Sequence, residues 1–116
     1  MTITSTDLKP KFDFGLEVIG ASAFALCQNL EEIILPESLI KIGPSAFERT
    51  GLTSVKIPPK IKIISGSTFY GANILELELN EGLEEIGGTA FSYNPITEVI
   101  IPGCTVTVTL SSKSNA

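Results

Sequence analysis

Four phenylalanines, Phe24, Phe47, Phe69 and Phe91, follow one another at intervals of 23, 22 and 22 residues, each preceded by Ala or Thr. The apolar residues around them keep step. Upstream of each Phe stand Leu16, Leu39, Ile61 and Leu83, then Ile19, Ile42, Ile64 and Ile86. Downstream come Leu30, Leu52, Ile74 and Ile96, then Ile33, Val55, Leu77 and Val99, then Leu35, Ile57, Leu79 and Ile101. A fixed period in the range of roughly 20 to 50 residues is the signature of a solenoid or a propeller. One copy is too small to hide its own apolar face, so each buries that face on its neighbours. The segment Ser38 to Pro58, SLIKIGPSAFERTGLTSVKIP, is one complete unit.

The chain has 116 residues, enough for one domain, and 43% of them are hydrophobic, enough for a core. Residues 1–15 read as an N-terminal arm or cap, 16–102 as four repeats, and 103–116 as a degenerate C-terminal cap and tail. Phe12 and Phe14 alternate with Asp13, which fits a degenerate first strand over the open end of the core. The net charge is −5 and the isoelectric point about 4.6. The eight Lys and Arg are scattered, whereas a phosphate backbone demands a basic cluster, so nucleic acid is not an expected partner. No apolar run approaches the ~20 residues of a membrane helix. The N-terminus lacks a basic stretch followed by an apolar one, so it is not read as a signal peptide. That leaves a cytoplasmic protein, or a secreted one cut downstream of its signal.

Within each copy, the run from Leu30 to Pro36, or Leu52 to Pro58, alternates in the manner of a short strand with one face inward. Strands are expected near 32–35, 54–57, 76–79 and 98–101. Pro36, Pro58 and Pro102 end the ladder because proline has no N–H to give it; the third copy has Asn80 there, a turn residue. A second extended piece, typified by Leu39–Ile42, follows. Then comes Gly20, Gly43 or Gly87, at a position that needs either a positive φ or the absence of a Cβ. The third copy has Ser65 followed by Gly66, a turn that could be shifted by one residue. The Ser-Ala-Phe segment predicts a single 3₁₀ or α turn. Stacked copies would align the four Phe rings into an aromatic spine, offset or edge to face. After Pro102, TVTVTL alternates like a last edge strand. Cys27 and Cys104 fall three or more rungs apart, at ~4.8 Å per rung, beyond the ~7 Å reach of a disulfide. Both are expected to be free thiols.

The combination SLxxIGxxAFxxCxxLxxIxLP resembles the BspA-like leucine-rich repeats. The resemblance spans residues 16–102 and rests on copies of [LI]xxI[GS]xx[AT]F in register. It departs from the common leucine-rich repeat, because the asparagine-ladder position holds Ser38, Lys60, Gly82 and Cys104. It departs from its own motif too, since the Cys slot holds Cys27 but then Thr50, Ala72 and Asn94. The resemblance implies a mostly β, α/β-class solenoid. Its four rungs would form a right-handed coil with a parallel sheet on the concave face and short helical or 3₁₀ turns elsewhere. It also implies a secreted or cell-surface location in a bacterium or protist, adhesion, and protein binding.

Few residues here could carry catalysis. There is no histidine, so Ser-His-Asp and Cys-His arrangements are excluded. Two cysteines cannot make a four-ligand zinc site, and GxxxxGK[ST] does not occur. No cofactor and no metal site is expected. Glu31-Glu32 and Glu84-Glu85 occupy the variable slots of the motif and read as solvated positions; calcium at Glu76, Glu78 and Glu98 would lack the Asp-rich loop that presents such ligands. What remains is a surface. The outward slots of the first strand form three stripes: Glu31, Thr53, Leu75, Thr97; then Glu32, Ser54, Glu76, Glu98; then Ile34, Lys56, Glu78, Ile100. One reading is simply a wet sheet face. The other is a ligand-binding strip made by Glu32, Ile34, Ser54, Lys56, Leu75, Glu76, Glu78, Glu98 and Ile100, acidic with exposed aliphatic points and suited to a basic or mixed protein partner. Two functions follow: a non-enzymatic protein-interaction module, or a structural spacer that self-associates through its open ends.

Overall fold

The computed structural model describes residues 15–102 and 104–107, the last four by their backbone alone; the Phe12–Phe14 strand lies outside the described residues. The copies form a β-rich repeat fold of parallel sheets. In chain order the strands are β1 (Val18–Ile19), β2 (Lys41–Ile42), β3 (Ser54–Lys56), β4 (Ile63–Ile64), β5 (Glu76–Glu78), β6 (Glu85–Ile86), β7 (Glu98–Ile101) and β8 (Cys104–Thr107). The longest sheet has the order β3-β5-β7-β8. Its first three strands pair parallel, with Val55 beside Leu77 and Leu77 beside Val99. Three of the four expected strands therefore form where the alternation put them. The fourth, at 32–35, does not. Thr53 N–H reaches Glu31 O at 3.4 Å, the long end of the hydrogen-bond range, and no strand is assigned there. Ile33 and Leu35 are accordingly only half-buried.

β8 is the expected edge strand, but it runs antiparallel to β7, with Val99 opposite Val106 and Ile101 opposite Cys104. It thus folds back on the sheet instead of starting another parallel rung.

The second extended pieces pair as β1-β2 and β4-β6, two separate two-stranded sheets. Ser65 lies at the break. In the copies with glycine at this slot, Gly43 N–H donates to Ile19 O at 2.8 Å and Gly87 N–H to Ile64 O at 2.7 Å. A Cβ on Gly43 would lie 2.5 Å from Ala21 N, and one on Gly87 would lie 2.7 Å from Gly66 N. Close backbone approach, not a positive φ, is what these glycines provide. Ser65 has a Cβ, and it reaches the preceding copy by its side chain instead, Oγ donating to Ile42 O at 3.1 Å. The turn after it stays in register: Thr68 N–H bonds Ser65 O as Ala46 N–H bonds Gly43 O.

The Ser-Ala-Phe segment is not a helical turn, which corrects the expectation of 3₁₀ or α structure; no helix occurs among the described residues. Ser22, Ser45, Ser67 and Thr89 all have φ near +57 to +59°, and Leu26, Arg49, Gly71 and Tyr93 repeat the positive φ four residues later. A left-handed residue other than glycine costs about 1–2 kcal/mol. The return is a ladder. Alternate N–H groups leave the turn and bond the next copy: Ser45 to Gly66 O at 3.2 Å, Phe47 to Thr68 O at 2.8 Å, Arg49 to Tyr70 O at 2.7 Å. Those between close the turn on itself, Ala46 to Gly43 O and Glu48 to Ser45 O. A continuous 3₁₀ turn would direct every N–H inward and leave the turns of successive copies unjoined.

The Phe rings stack inside that ladder. Successive centroids from Phe24 to Phe91 lie 5.3, 5.4 and 5.3 Å apart with interplanar angles of 4–5°. Parallel rings in contact at ~3.5 Å must then be displaced sideways by about 4 Å, the offset stack. Phe47 and Phe69 are fully buried, as are Leu30, Leu39, Leu52, Ile61 and Ile74. Ile86, read as an inward residue, is 41% exposed, because β6 is the last strand of its sheet.

Phe69→Ala removes a ring with neighbours on both sides, and a loss of about 3–5 kcal/mol is expected. The melting temperature should fall by more than about 10 °C; a fall of only a few degrees would show that the stack is dispensable. Glycine offers a paired comparison. Gly43→Ala drives a Cβ into backbone and should cost about 1–3 kcal/mol, whereas a Cβ on Gly88 meets nothing within 4 Å, so Gly88→Ala should be neutral or slightly stabilising. Equal denaturant midpoints for the two variants would sink the close-approach account.

Candidate interaction surface

The longest sheet sets the geometry of the candidate site. Its outward side chains alternate with the buried Val55 and Leu77, so the pleat forces Ser54 and Lys56, Glu76 and Glu78 to one side. Register then places Ser54 beside Glu76 beside Glu98, and Lys56 beside Glu78 beside Ile100. Six of the nine residues named from the sequence are thereby brought into two adjacent columns. Leu75 precedes β5 by one residue, with the parity of the buried Leu77 and so outside the two columns; its N–H donates to Thr53 O at 2.8 Å and it is 43% exposed. Glu32 and Ile34 lie on the strandless segment of the first copy, both exposed, Ile34 at 85%. Ile100, expected to be exposed, is half-buried; β8 runs alongside it, Thr105 opposite Ile100.

Charge is distributed unevenly over this face. Lys56 Nζ lies 3.7 Å from Glu78 Oε2, with the lysine side chain 76% exposed. That pair is a surface ion pair of small energetic weight, yet it occupies the one cation in the columns. Glu76 and Glu98 are nearest neighbours across the ladder, and neither has an ion pair with a cation among the described residues. Like charges directly opposite are mildly destabilising. Beyond the strand ends a groove of about 620 Å³ opens, lined among others by Glu37, Lys56, Pro59, Glu78, Glu81 and Pro102. No group of three or more His, Cys, Asp or Glu among the described residues is arranged to hold a metal ion. No helix among them is long and apolar enough to cross a membrane.

Two features were missed from sequence. The chain's single arginine and both its tyrosines cluster beyond the Phe stack: Arg49 Cζ lies 5.6 Å from the centre of the Tyr70 ring, and Tyr70 meets Tyr93 edge to face at 5.3 Å. They hold the first or second slot after their phenylalanines, and comparing those slots between copies would have joined them. The second is the buried polar set in the motif's Cys slot. Thr50 Oγ1 donates to Phe47 O at 3.1 Å. Asn94 accepts from Ile74 N–H at 3.0 Å and donates to Phe69 O and Phe91 O. Cys27 occupies the same slot as a buried free thiol; the Cys104 side chain lies outside the described set.

Parallel ladders linking residues 22 or 23 apart, with one apolar ring per copy, define a β-rich repeat protein. The chain belongs to the BspA type leucine rich repeat family, whose profile matches residues 5–113 in six copies. That match extends past the four copies counted from the Phe spacing, on both sides. No curated protein and no solved structure matches the chain. The family is in general a non-enzymatic repeat module that mediates protein–protein interaction.

Proposed function

We propose that this chain is a protein-interaction module that binds a basic or mixed-charge protein through the outward face of β3, β5 and β7. The observation that carries the reading is the pairing of Glu76 with Glu98 on a face whose lysine is already engaged by Glu78. A cationic side chain from a partner would relieve that repulsion, and exposed Leu75 and Ile34 would add apolar contact of the kind that marks interaction patches. In this reading the rungs wind as a right-handed solenoid, four of them between 16 and 102. The binding face is its concave side, and residues 1–15 and 103–116 serve as caps. The protein works outside the cell or at its surface, in adhesion, as its family membership favours.

The spacer alternative requires further rungs to add in the same parallel register. The position beside β7 is taken instead by β8 running the other way, which argues against a spacer extended there by further parallel rungs.

The test is a titration against a panel of basic cell-surface and extracellular proteins at several salt concentrations. Binding should weaken as salt rises, since exposed charges are screened within ~8 Å at physiological ionic strength. Glu76→Lys plus Glu98→Lys should weaken it by at least about tenfold. Glu76→Lys alone, which replaces a repulsive neighbour pair by an attractive one, should leave the melting temperature unchanged or slightly higher and serves as the fold control. Undiminished binding by the folded double variant would move the site off this face.

A further inference from the structure

β8 is the edge of the longest sheet: among the described residues no strand lies on its other side. The directions of its backbone groups follow from the ladder. Glu98 N–H donates to Leu75 O, and Ile100 O accepts from Leu79 N–H at 2.9 Å. Glu98 and Ile100 therefore turn their backbone groups toward β5, and Val99 and Ile101 turn theirs toward β8. Val99 is opposite Val106 and Ile101 opposite Cys104, so Cys104 and Val106 complete the bonds to β7. The N–H and C=O groups of Thr105 and Thr107 point to the outer edge.

Natural edge strands are protected by lysine, proline or a bulge. Residues 104–112, CTVTVTLSS, hold neither a charged residue nor a proline. We propose that this edge pairs antiparallel with the same edge of a second copy of the chain, across a two-fold axis at Val106. Thr105 then faces Thr107 of the second copy, and Thr107 faces its Thr105. Both are hydrogen-bonded pairs that exchange two bonds each, flanking a non-bonded Val106–Val106 pair. The register uses every outward group of β8 and leaves none over, and the two-fold lets one edge serve as both halves of the contact. An antiparallel neighbour also continues the β7–β8 pairing.

The net charge of −5 does not oppose a second copy here. The two β7 strands, with their Glu98 residues, stand three strand spacings apart, about 14 Å, beyond the ~8 Å screening length at physiological salt. The pairing joins the two outward sheet faces edge to edge and gives a bivalent surface, so a ligand with two sites would be held by avidity as well as by affinity.

The experiment is sedimentation of the full chain as a function of concentration. A reversible monomer–dimer equilibrium is expected. Proline at an edge position whose N–H points away from the sheet leaves the ladder to β7 intact. Thr105→Pro plus Thr107→Pro should therefore raise the dimer dissociation constant on the order of 100-fold, from the lost backbone bonds, with an unchanged melting curve at concentrations where the parent is monomeric. As an independent readout, Val106→Cys in a Cys104→Ser background should form an intermolecular disulfide on mild oxidation, because a non-bonded antiparallel pair sets Cα atoms ~4.5 Å apart. A chain that stays monomeric, a dimer that survives both prolines, or a Val106→Cys variant that does not cross-link would each overturn the proposal. A monomer whose edge captures a synthetic extended peptide would assign the edge to a foreign strand and overturn it equally.

Discussion

Each copy of this chain leaves its backbone unfinished and relies on the next copy to complete it. The dependence is sharpest in the turn that carries the phenylalanine, where Phe24, Phe47 and Phe69 send their N–H groups to Ala46 O, Thr68 O and Ala90 O at 2.7–2.8 Å. The same residues stack their rings. Hydrogen bond and ring contact thus run along one axis and require one spacing, near the ~4.8 Å of adjacent strands. That shared spacing sets the strand ladders in register as well. It also explains why left-handed residues at Ser45 and Arg49 are tolerated: each redirects an N–H toward the neighbouring copy, and a buried N–H without a partner would cost more than the strained dihedral.

Departures from the repeat are met by local substitutes. Ser65 stands in for glycine and bridges with its hydroxyl where the backbones do not pair. In the fourth copy Pro95 has no N–H to offer, and the buried Asn94 amide bonds Ile74 N–H and Phe69 O from the residue before it. Asn80 replaces the strand-ending proline and donates to Pro58 O at 2.6 Å and Ile61 O at 2.9 Å, tying its turn to the one before. Ser65 thus makes with its side chain a bond that Gly43 and Gly87 make with backbone, whereas Asn94 and Asn80 add side-chain bonds between copies, the Asn80 Oδ1 staying buried without a partner.

The spacing of four phenylalanines was enough to read the period, most of the buried residues and three parallel strands, because one inward slot per copy is the strongest demand the fold makes; the inward readings that failed, Ile86 and Ile101, lie toward the end of the stack. The conformation of the turn was not legible. Ser-Ala-Phe suits a 3₁₀ turn locally, and only the neighbouring carbonyls make alternating left-handed residues preferable. The direction of β8 was equally hidden: an alternating TVTVTL run has the same period in either direction, and pairing with β7 decides it. The outward columns of the candidate face were legible from the two-residue alternation and the 22-residue period together, as Glu76 beside Glu98 shows. The half-burial of Ile100 was not, since it comes from β8. The Arg49–Tyr70–Tyr93 cluster joins residues from three copies at unequal slots, and so escaped a reading made copy by copy.

Stability in this fold lies between copies and is carried by the turn ladder and its ring stack. Residue-resolved hydrogen exchange under native conditions tests it most directly. The amides of Phe47, Arg49 and Phe69, each bonded to the next copy, should exchange at or near the rate of global unfolding, alongside those of Val55 and Leu77 in the sheet. Exchange of the Phe47 and Phe69 amides as fast as that of exposed turn residues such as Lys60, with the sheet still protected, would show that the sheet alone holds the copies together.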